Sequence, residues 1–350
     1  MEPPLQVLRP DGSVAREDLV PRDDALLIRL YRHMRRARHF DERAVVLQRQ
    51  GKLGVFPPYG GQEAAQVGSA LALEAGDWLA PSYRETAAAL AFGLPLARAI
   101  LYWRTSPHGF AMDPGLNLLP FYVPIATQLP HVAGIALASK LRGDGKVAMG
   151  YIGDGGTSEG DFHTGVNFAG AYRAPAVFVI QNNGWAISVP TSTQTAAECL
   201  ADRAVGYGIP GVRVDGNDVL AVHHVTREAV ARARSAGGPT LIEAVTYRVR
   251  PHTTSDDTSR YRTEDEAVAW RDQRDPVGRM RSFLAERGLW DEERENALAA
   301  ELEQELQAAL AEADAAQEPE PWEILDQVFD EPTFLLREQM AELRREVADA

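Results

Sequence analysis

This 350-residue chain predicts an α/β fold: a parallel sheet flanked by helices, with an N-terminal arm and a helical C-terminal extension. Three observations predict it. The runs Lys146–Ile152 (KVAMGYI) and Ala176–Gln181 (AVFVIQ) are continuously apolar, as strands buried on both faces are. They alternate with segments of helical period, Ser158–Tyr172 and Asp218–Ala236. A third strand follows over Thr240–Val249 (TLIEAVTYRV). Such strand–helix–strand units return by right-handed crossovers, and their ligands sit beyond the carboxyl ends of the strands.

Taken in order, residues 1–22 are Pro-rich, charged and aperiodic, which suits an arm either mobile or laid against the rest. From Asp23 onward Leu26, Leu27, Leu30, Tyr31, Met34, Ala37, Phe40 and Ala44 recur at helical spacing. Arg29, Arg32, Arg35, Arg36 and Arg43 fall largely elsewhere on that helix and read as a solvated face. The breaker-rich stretch GKLGVFPPYGG leads into GQEAAQVGSALALEAGD, a helix whose small residues predict close backbone packing. A short strand and loop follow over Asp77–Arg84, then an Ala/Leu-rich helix over Glu85–Ile100. Residues 104–130 hold several prolines and no period; too long for a plain connector and too apolar for disorder, they predict a loop lining a site. After Arg262 the composition shifts to Glu, Ala, Leu and Arg, predicting acidic helices over 264–287, 291–315 and 333–350. The expected organisation is therefore an arm (1–22), a ligand-binding α/β domain (23–262) and a helical extension (263–350).

Fifty acidic against 36 basic side chains leave a net charge of −14, which opposes broad attraction to nucleic acid or an anionic membrane. No apolar run approaches the roughly 20 residues a membrane span needs. Cys199 stands alone, and the start MEPPLQVLRPDG has neither a basic nor an apolar leader segment. A reduced, cytoplasmic chain is expected.

The chemistry concentrates after the first two strands. The turn Gly153-Asp154-Gly155-Gly156-Thr157-Ser158 lacks the third glycine of a dinucleotide fingerprint and the Lys-Ser/Thr of a Walker loop. It does offer backbone N–H groups to an anion at a helix start that Thr157 or Ser158 can cap. Asp154 beside a diphosphate is repulsive unless a hard cation, magnesium, lies between them. The second strand ends in Asn182-Asn183-Gly184-Trp185, and neighbouring parallel strands lie about 4.8 Å apart. Asn183 through its amide oxygen and Trp185 through its carbonyl can then join Asp154 around one ion. The bland alternative is a pair of turns, with Asn-Asn closing an Asx-turn. Gly143-Asp144-Gly145 precedes its strand and reads as a plain turn.

With these residues in hand, the chain resembles a known family. Gly153-Asp154-Gly155 followed by Asn182-Asn183 resembles the thiamine diphosphate motif. The segments GGQEAAQVGSAL, PSYRE, PIATQLPHVAGIALA, NNGWAISVPTSTQ, VDGNDVLAV and LIEAVTYRVRPHTTSDDTSRYR are similar to the alpha subunit of the decarboxylating component of 2-oxo acid dehydrogenase complexes. The resemblance covers roughly residues 25–330. It implies that Asp154, Asn183 and the Trp185 carbonyl bind magnesium, and that Gly155 and Gly156 contact the diphosphate through N–H groups. Tyr83 and Arg84 would grip the diphosphate, and backbone near Val123 and Ile125 would meet the aminopyrimidine. Thr127 and Gln128 resemble a potassium-binding loop, with a capped turn as the alternative. His252 matches the active-site loop histidine. His108 and His131 are weaker candidates, His131 reading as a core histidine.

The same resemblance implies a separate beta subunit that supplies a glutamate, a heterotetramer of two alpha and two beta chains, and a lipoylated acyltransferase core as acceptor. The implied reaction is oxidative decarboxylation of a 2-oxo acid with acyl transfer to lipoyllysine. NNGWAISVPTSTQ and HTTSDD lean towards the branched-chain (2-oxoisovalerate) enzymes, RQGKLG and PGLNLLP towards pyruvate dehydrogenases, and the expectation here is branched-chain. A non-catalytic assembly subunit is the rival from another class. Three departures stand out: Gly109-Phe110-Ala111-Met112-Asp113-Pro114 stands where branched-chain members often carry Arg-Gln-Met-Pro-x-His, so that loop's histidine is not implied; Gln181 occupies a place where some relatives carry arginine; and Thr253 replaces the serine phosphorylated in mitochondrial relatives, so kinase regulation is not implied.

Overall fold

The computed structural model describes residues 3–317, 320–326 and 328–349. Five parallel strands form the sheet: β1 (Trp78–Ala80), β2 (Ala148–Gly153), β3 (Ala176–Asn182), β4 (Gly211–Asp215) and β5 (Thr240–Val245), in spatial order β1-β2-β3-β5-β4. Gly153 pairs with Gln181 and Gln181 with Ala244, so β2, β3 and β5 end level and their following loops gather at one edge. The continuous apolar runs are explained by two cores. Met149, Tyr151, Val177 and Val179 face one, while Ile152, Phe178 and Ile180 face the other.

On the first face lie α1 (Asp24–Arg49), α2 (Glu63–Ala70), α3 (Thr86–Phe92) and α4 (Leu96–Trp103). On the second lie α5 (Gln128–Arg142) and α6 (Gly160–Ala171). α7 (Val219–Arg234), α9 (Pro276–Glu286) and α10 (Glu292–Asp314) join the first core, with α8 (Glu264–Gln273) between α7 and α9 in the chain. Gly68 of α2 bears out the close packing expected there: a Cβ on it would lie 2.9 Å from the Val219 carbonyl.

Several expectations are corrected. The α1 arginines are not a solvated face. Arg32, Arg35, Arg36 and Arg43 pair with Glu301, Glu295, Glu305 and Glu303 of α10 at 2.6, 2.7, 2.5 and 3.6 Å, leaving Arg29 exposed. The helix expected over Glu85–Ile100 is two, because Gly93 at φ 122° and Pro95 break it. The one expected over 264–287 also breaks, where Asp275 caps α9 by accepting from the Gly278 N–H at 2.8 Å. Segment 104–130 is partly ordered against β1, with bridges Leu79–Leu118 and Ser82–Tyr122. Among the elements outside the expected pattern, a helix and a strand matter most for the sheet. α5 begins in that segment and tolerates Pro130 in its first turn. β4 is a short edge strand carrying Arg213 and Asp215.

Of the two alternatives for the arm, it is laid down. Leu5 bridges Val214 of β4, and the Val7 and Leu8 N–H groups donate to Asp218 Oδ2 at 2.7 and 2.6 Å. No helix among the described residues is long and apolar enough to cross a membrane.

Candidate active site

At the carboxyl edge of β2 and β3 lies a cavity of about 550 Å³. Tyr83, Arg84, Val123, Ile125, Asp154, Gly155, Gly156, Asn183, Trp185 and His252 all line it. Residues spread over some 170 positions therefore meet in one place because three strands end level and the 104–130 segment closes the side. Thr127 and Gln128 are not among its lining residues; Gln128 is buried and its amide donates to the Tyr151 carbonyl at 2.5 Å.

Asp154 is 1% exposed, with no ion pair among the described residues. Its Oδ1 accepts from the Asn183 N–H at 3.2 Å and its Oδ2 from the Thr191 hydroxyl at 2.7 Å. Burial pushes its carboxyl above the usual range, against these hydrogen bonds and the pull of Arg248. Such a carboxylate lacks a positive partner. The turn after β2 is a 3₁₀ turn, Gly155–Ser158, and α6 starts only at Gly160. Neither Thr157 nor Ser158 caps α6; the Thr157 hydroxyl instead donates to the Asp154 carbonyl at 2.7 Å. Gly155 and Gly156 are glycine because the wall demands it. A Cβ would lie 2.6 Å from the Ala186 Cβ at the first and 2.4 Å from the Ile152 Cδ1 at the second.

The Asx-turn alternative is visible as well: Asn182 Oδ1 accepts from the Gly184 N–H at 3.3 Å and Asn183 Oδ1 from the Trp185 N–H at 3.4 Å. Asn183 Nδ2 donates to Gln62 Oε1 at 3.2 Å, which sets the amide's orientation. The Trp185 carbonyl meets Arg248 Nη1 at 3.4 Å, a long contact that leaves a lone pair for another partner.

Arg84 and Arg248 converge on His252. Arg84 Nη2 lies 3.0 Å and Arg248 Nη1 3.4 Å from its Nδ1. A guanidinium only donates, so Nδ1 accepts and the imidazole proton sits on Nε2. Burial and the two guanidiniums hold the histidine down to about 4, so it is neutral at pH 7. Arg248 is 1% exposed and donates to the Ile187 carbonyl at 2.6 Å and the Tyr261 hydroxyl at 2.9 Å. Burial and Arg84 lower it to about 10. Neither arginine has a carboxylate at ion-pair distance among the described residues.

Arg248, Thr191 and Gln194 were not singled out in the sequence. Gln194 Nε2 donates to the Asp154 and Gly155 carbonyls at 3.0 and 2.7 Å and holds the glycine turn. The signal for Arg248 was an arginine inside a run expected to be strand to Val249, whereas β5 ends at Val245. His131 is exposed against Tyr122, 5.6 Å between rings, and is not the core histidine expected. His108 lies away from the cavity, beside Arg98 and Glu312.

Asp154 on the cavity wall thus has no cation, and Arg84 on the wall and Arg248 beside His252 have no carboxylate, at ion-pair distance among the described residues, a donor set that fits a divalent metal and an anionic diphosphate. The sequence profile described as "Dehydrogenase E1 component" matches residues 31–322. This chain belongs to that dehydrogenase E1 family. It is 45% identical over 337 residues to the "Pyruvate dehydrogenase E1 component subunit alpha" of Staphylococcus epidermidis, covering 96% of this chain and 91% of the relative. The protein of the same description from Staphylococcus aureus shows the same identity and coverage. The chain is accordingly an alpha subunit of a 2-oxo acid dehydrogenase E1 component, a family that implies thiamine diphosphate and magnesium and pairs alpha with beta chains. Two expectations shift with this. These relatives are named for pyruvate rather than a branched-chain acid, and nothing supports potassium at Thr127 and Gln128.

Proposed function

We propose that the chain is the alpha subunit of an enzyme that oxidatively decarboxylates pyruvate and passes the acetyl group to lipoyllysine of an acyltransferase core. The observation that supports the reading is the charge arrangement at the cavity: buried Asp154 and Arg84 on its wall and buried Arg248 beside His252, none with an opposite charge at ion-pair distance among the described residues.

Asp154, Asn183 and the Trp185 carbonyl would hold magnesium. Gly155 and Gly156 would meet the diphosphate through N–H groups, Tyr83, Arg84 and Arg248 through their side chains. Backbone at Val123 and Ile125 would support the aminopyrimidine. When bound, thiamine diphosphate supplies a carbon that adds to the 2-carbonyl and an electron sink as carbon dioxide leaves. His252, neutral with its proton on Nε2, would offer that proton to the substrate's oxygen and assist transfer to the lipoyl group. The beta chain would complete the site with a glutamate. Val55, Val123 and Ile187, 56, 62 and 57% exposed, line the cavity and give that partner an apolar rim to cover.

Two measurements test this. The reconstituted alpha–beta protein should turn over pyruvate with higher kcat/KM than 2-oxoisovalerate; the reverse order would restore the branched-chain reading. Thiamine diphosphate with magnesium should raise the thermal midpoint of the wild type but not of Asp154→Ala. Stabilisation without any turnover would favour the non-catalytic assembly subunit.

A further inference from the structure

The ligands proposed for magnesium come from two separate turns, and one short hairpin brings them together. Asp154 follows β2, while Asn183 and Trp185 follow β3. After Asn183 the chain forms a hairpin in which Trp185 and Ala186 pair antiparallel with Pro190 and Val189, then a single helical turn, Thr191–Gln194. With so few paired residues the hairpin cannot hold its own shape. Its turn also carries Ile187 at φ 55°, a conformation that β-branched residues rarely adopt. What grips the hairpin from outside therefore sets its geometry.

It is gripped at its base and on both sides. At the base the Thr191 N–H donates to the Gly184 carbonyl at 3.0 Å. On one side Arg248 donates to the Trp185 and Ile187 carbonyls at 3.4 and 2.6 Å. On the other, Ala186 rests against Gly155, and the two ends of the hairpin take hold of Asp154. The Asn183 N–H donates to its Oδ1 at 3.2 Å, and the Thr191 hydroxyl to its Oδ2 at 2.7 Å. A carboxylate held through both oxygens cannot turn without breaking a bond, so its remaining lone pairs keep one direction. The Asn183 bond comes from the main chain and follows from where β3 ends. The Thr191 bond is made by a side chain, and with Asp154 1% exposed, water has little access to replace it.

We propose that Thr191 is a positioning residue for the metal: its hydroxyl fixes the Asp154 carboxylate and, by fastening the hairpin to it, keeps the Trp185 carbonyl beside the same ion. The proposal rests on the thiamine diphosphate and magnesium reading above. Thr191 is not among the residues lining the cavity, so it acts through Asp154 and the hairpin and not as a ligand. Hydrogen-bond partners of this kind orient metal ligands in general.

The test is binding of Mn²⁺, which accepts the same oxygen shell as magnesium, to the alpha–beta protein at saturating thiamine diphosphate. Free Mn²⁺ is read by electron paramagnetic resonance, so no turnover is needed. Thr191→Val, which keeps the shape and removes the donor, should raise the Mn²⁺ Kd by roughly ten- to a hundredfold, the usual effect of losing a partner of a metal ligand. Thr191→Ser, which restores the hydroxyl, should bind Mn²⁺ as the wild type does. If the valine variant does not fold, Thr191→Cys takes its place; its thiol is a weak donor and should bind the metal less tightly than the serine variant. An unchanged Kd in Thr191→Val, even with a lower thermal midpoint, would overturn the proposal, because the hydroxyl would then only satisfy a buried carboxylate. A serine variant as weak as the valine or cysteine one would overturn it too. Failure of the wild type to bind Mn²⁺ with thiamine diphosphate at all would instead remove the reading on which it rests.

Discussion

At the scale of single residues, the site is governed by unbalanced charge. Arg248 is buried at 1% exposure beside another cation, an arrangement that costs free energy unless an anion compensates it. Arg248→Leu should therefore weaken thiamine diphosphate binding by roughly ten- to a hundredfold, the loss of one charge-assisted hydrogen bond or two. Fluorescence titration reads this directly, and unchanged affinity would discount the residue. His252 is held to about 4 by burial and by Arg84 and Arg248. Removing a neighbouring cation favours the protonated ring, so Arg84→Leu should move the His252 titration upward, towards its usual range, in ring-nitrogen NMR of the cofactor-free protein. A shift downward, or none, would contradict the geometry.

Among the elements, the arm and the acidic helix show how polar side chains align separate segments. Asp218 receives the N–H groups of Val7 and Leu8 from the arm and those of Leu220 and Ala221 from α7, joining a helix cap to a chain clamp. Asp218→Ala should cost about 2 kcal/mol or more, since a cap alone is worth about 1 and buried amides are left unpaired. Hydrogen exchange should show Val7 and Leu8 losing protection before α7 does. α10 docks through Leu298, Leu302, Leu306, Ala309 and Ala313, all buried, with its glutamates paired to α1. Leu302→Ala should destabilise by about 2–5 kcal/mol, read by denaturant unfolding. The exposed Arg32–Glu301 pair contributes far less, about 0–1 kcal/mol.

For the whole molecule, the exposed apolar rim at the cavity mouth and the beta-subunit glutamate expected there carry one consequence. The purified alpha chain alone should decarboxylate pyruvate negligibly, with activity appearing on titration with a beta chain. Full turnover by the alpha chain alone would refute the shared-site picture. The relatives are named for pyruvate and not for a branched-chain acid, and the two substrates differ by a few methylenes. Each is worth only about 1–3 kcal/mol of discrimination in an apolar pocket, so it leaves little trace in motif residues.

What the sequence by itself determined is what depends on local order. The apolar runs of β2 and β3, the period of α1, the glycine turn with Asp154, and the Asn183 that follows β3 all follow from neighbours along the chain. The resemblance then marked Arg84 and His252, residues no periodicity distinguishes from surface groups. Tertiary structure alone decided the rest, because charge balance is a property of space and not of sequence. The α1 arginines look solvated until α10 lies beside them. Arg248 looks like strand until β5 ends three residues earlier and turns it inward, and Glu85 and Gln181, 96 positions apart, become a pair only when β3 and the start of α3 meet under the cavity.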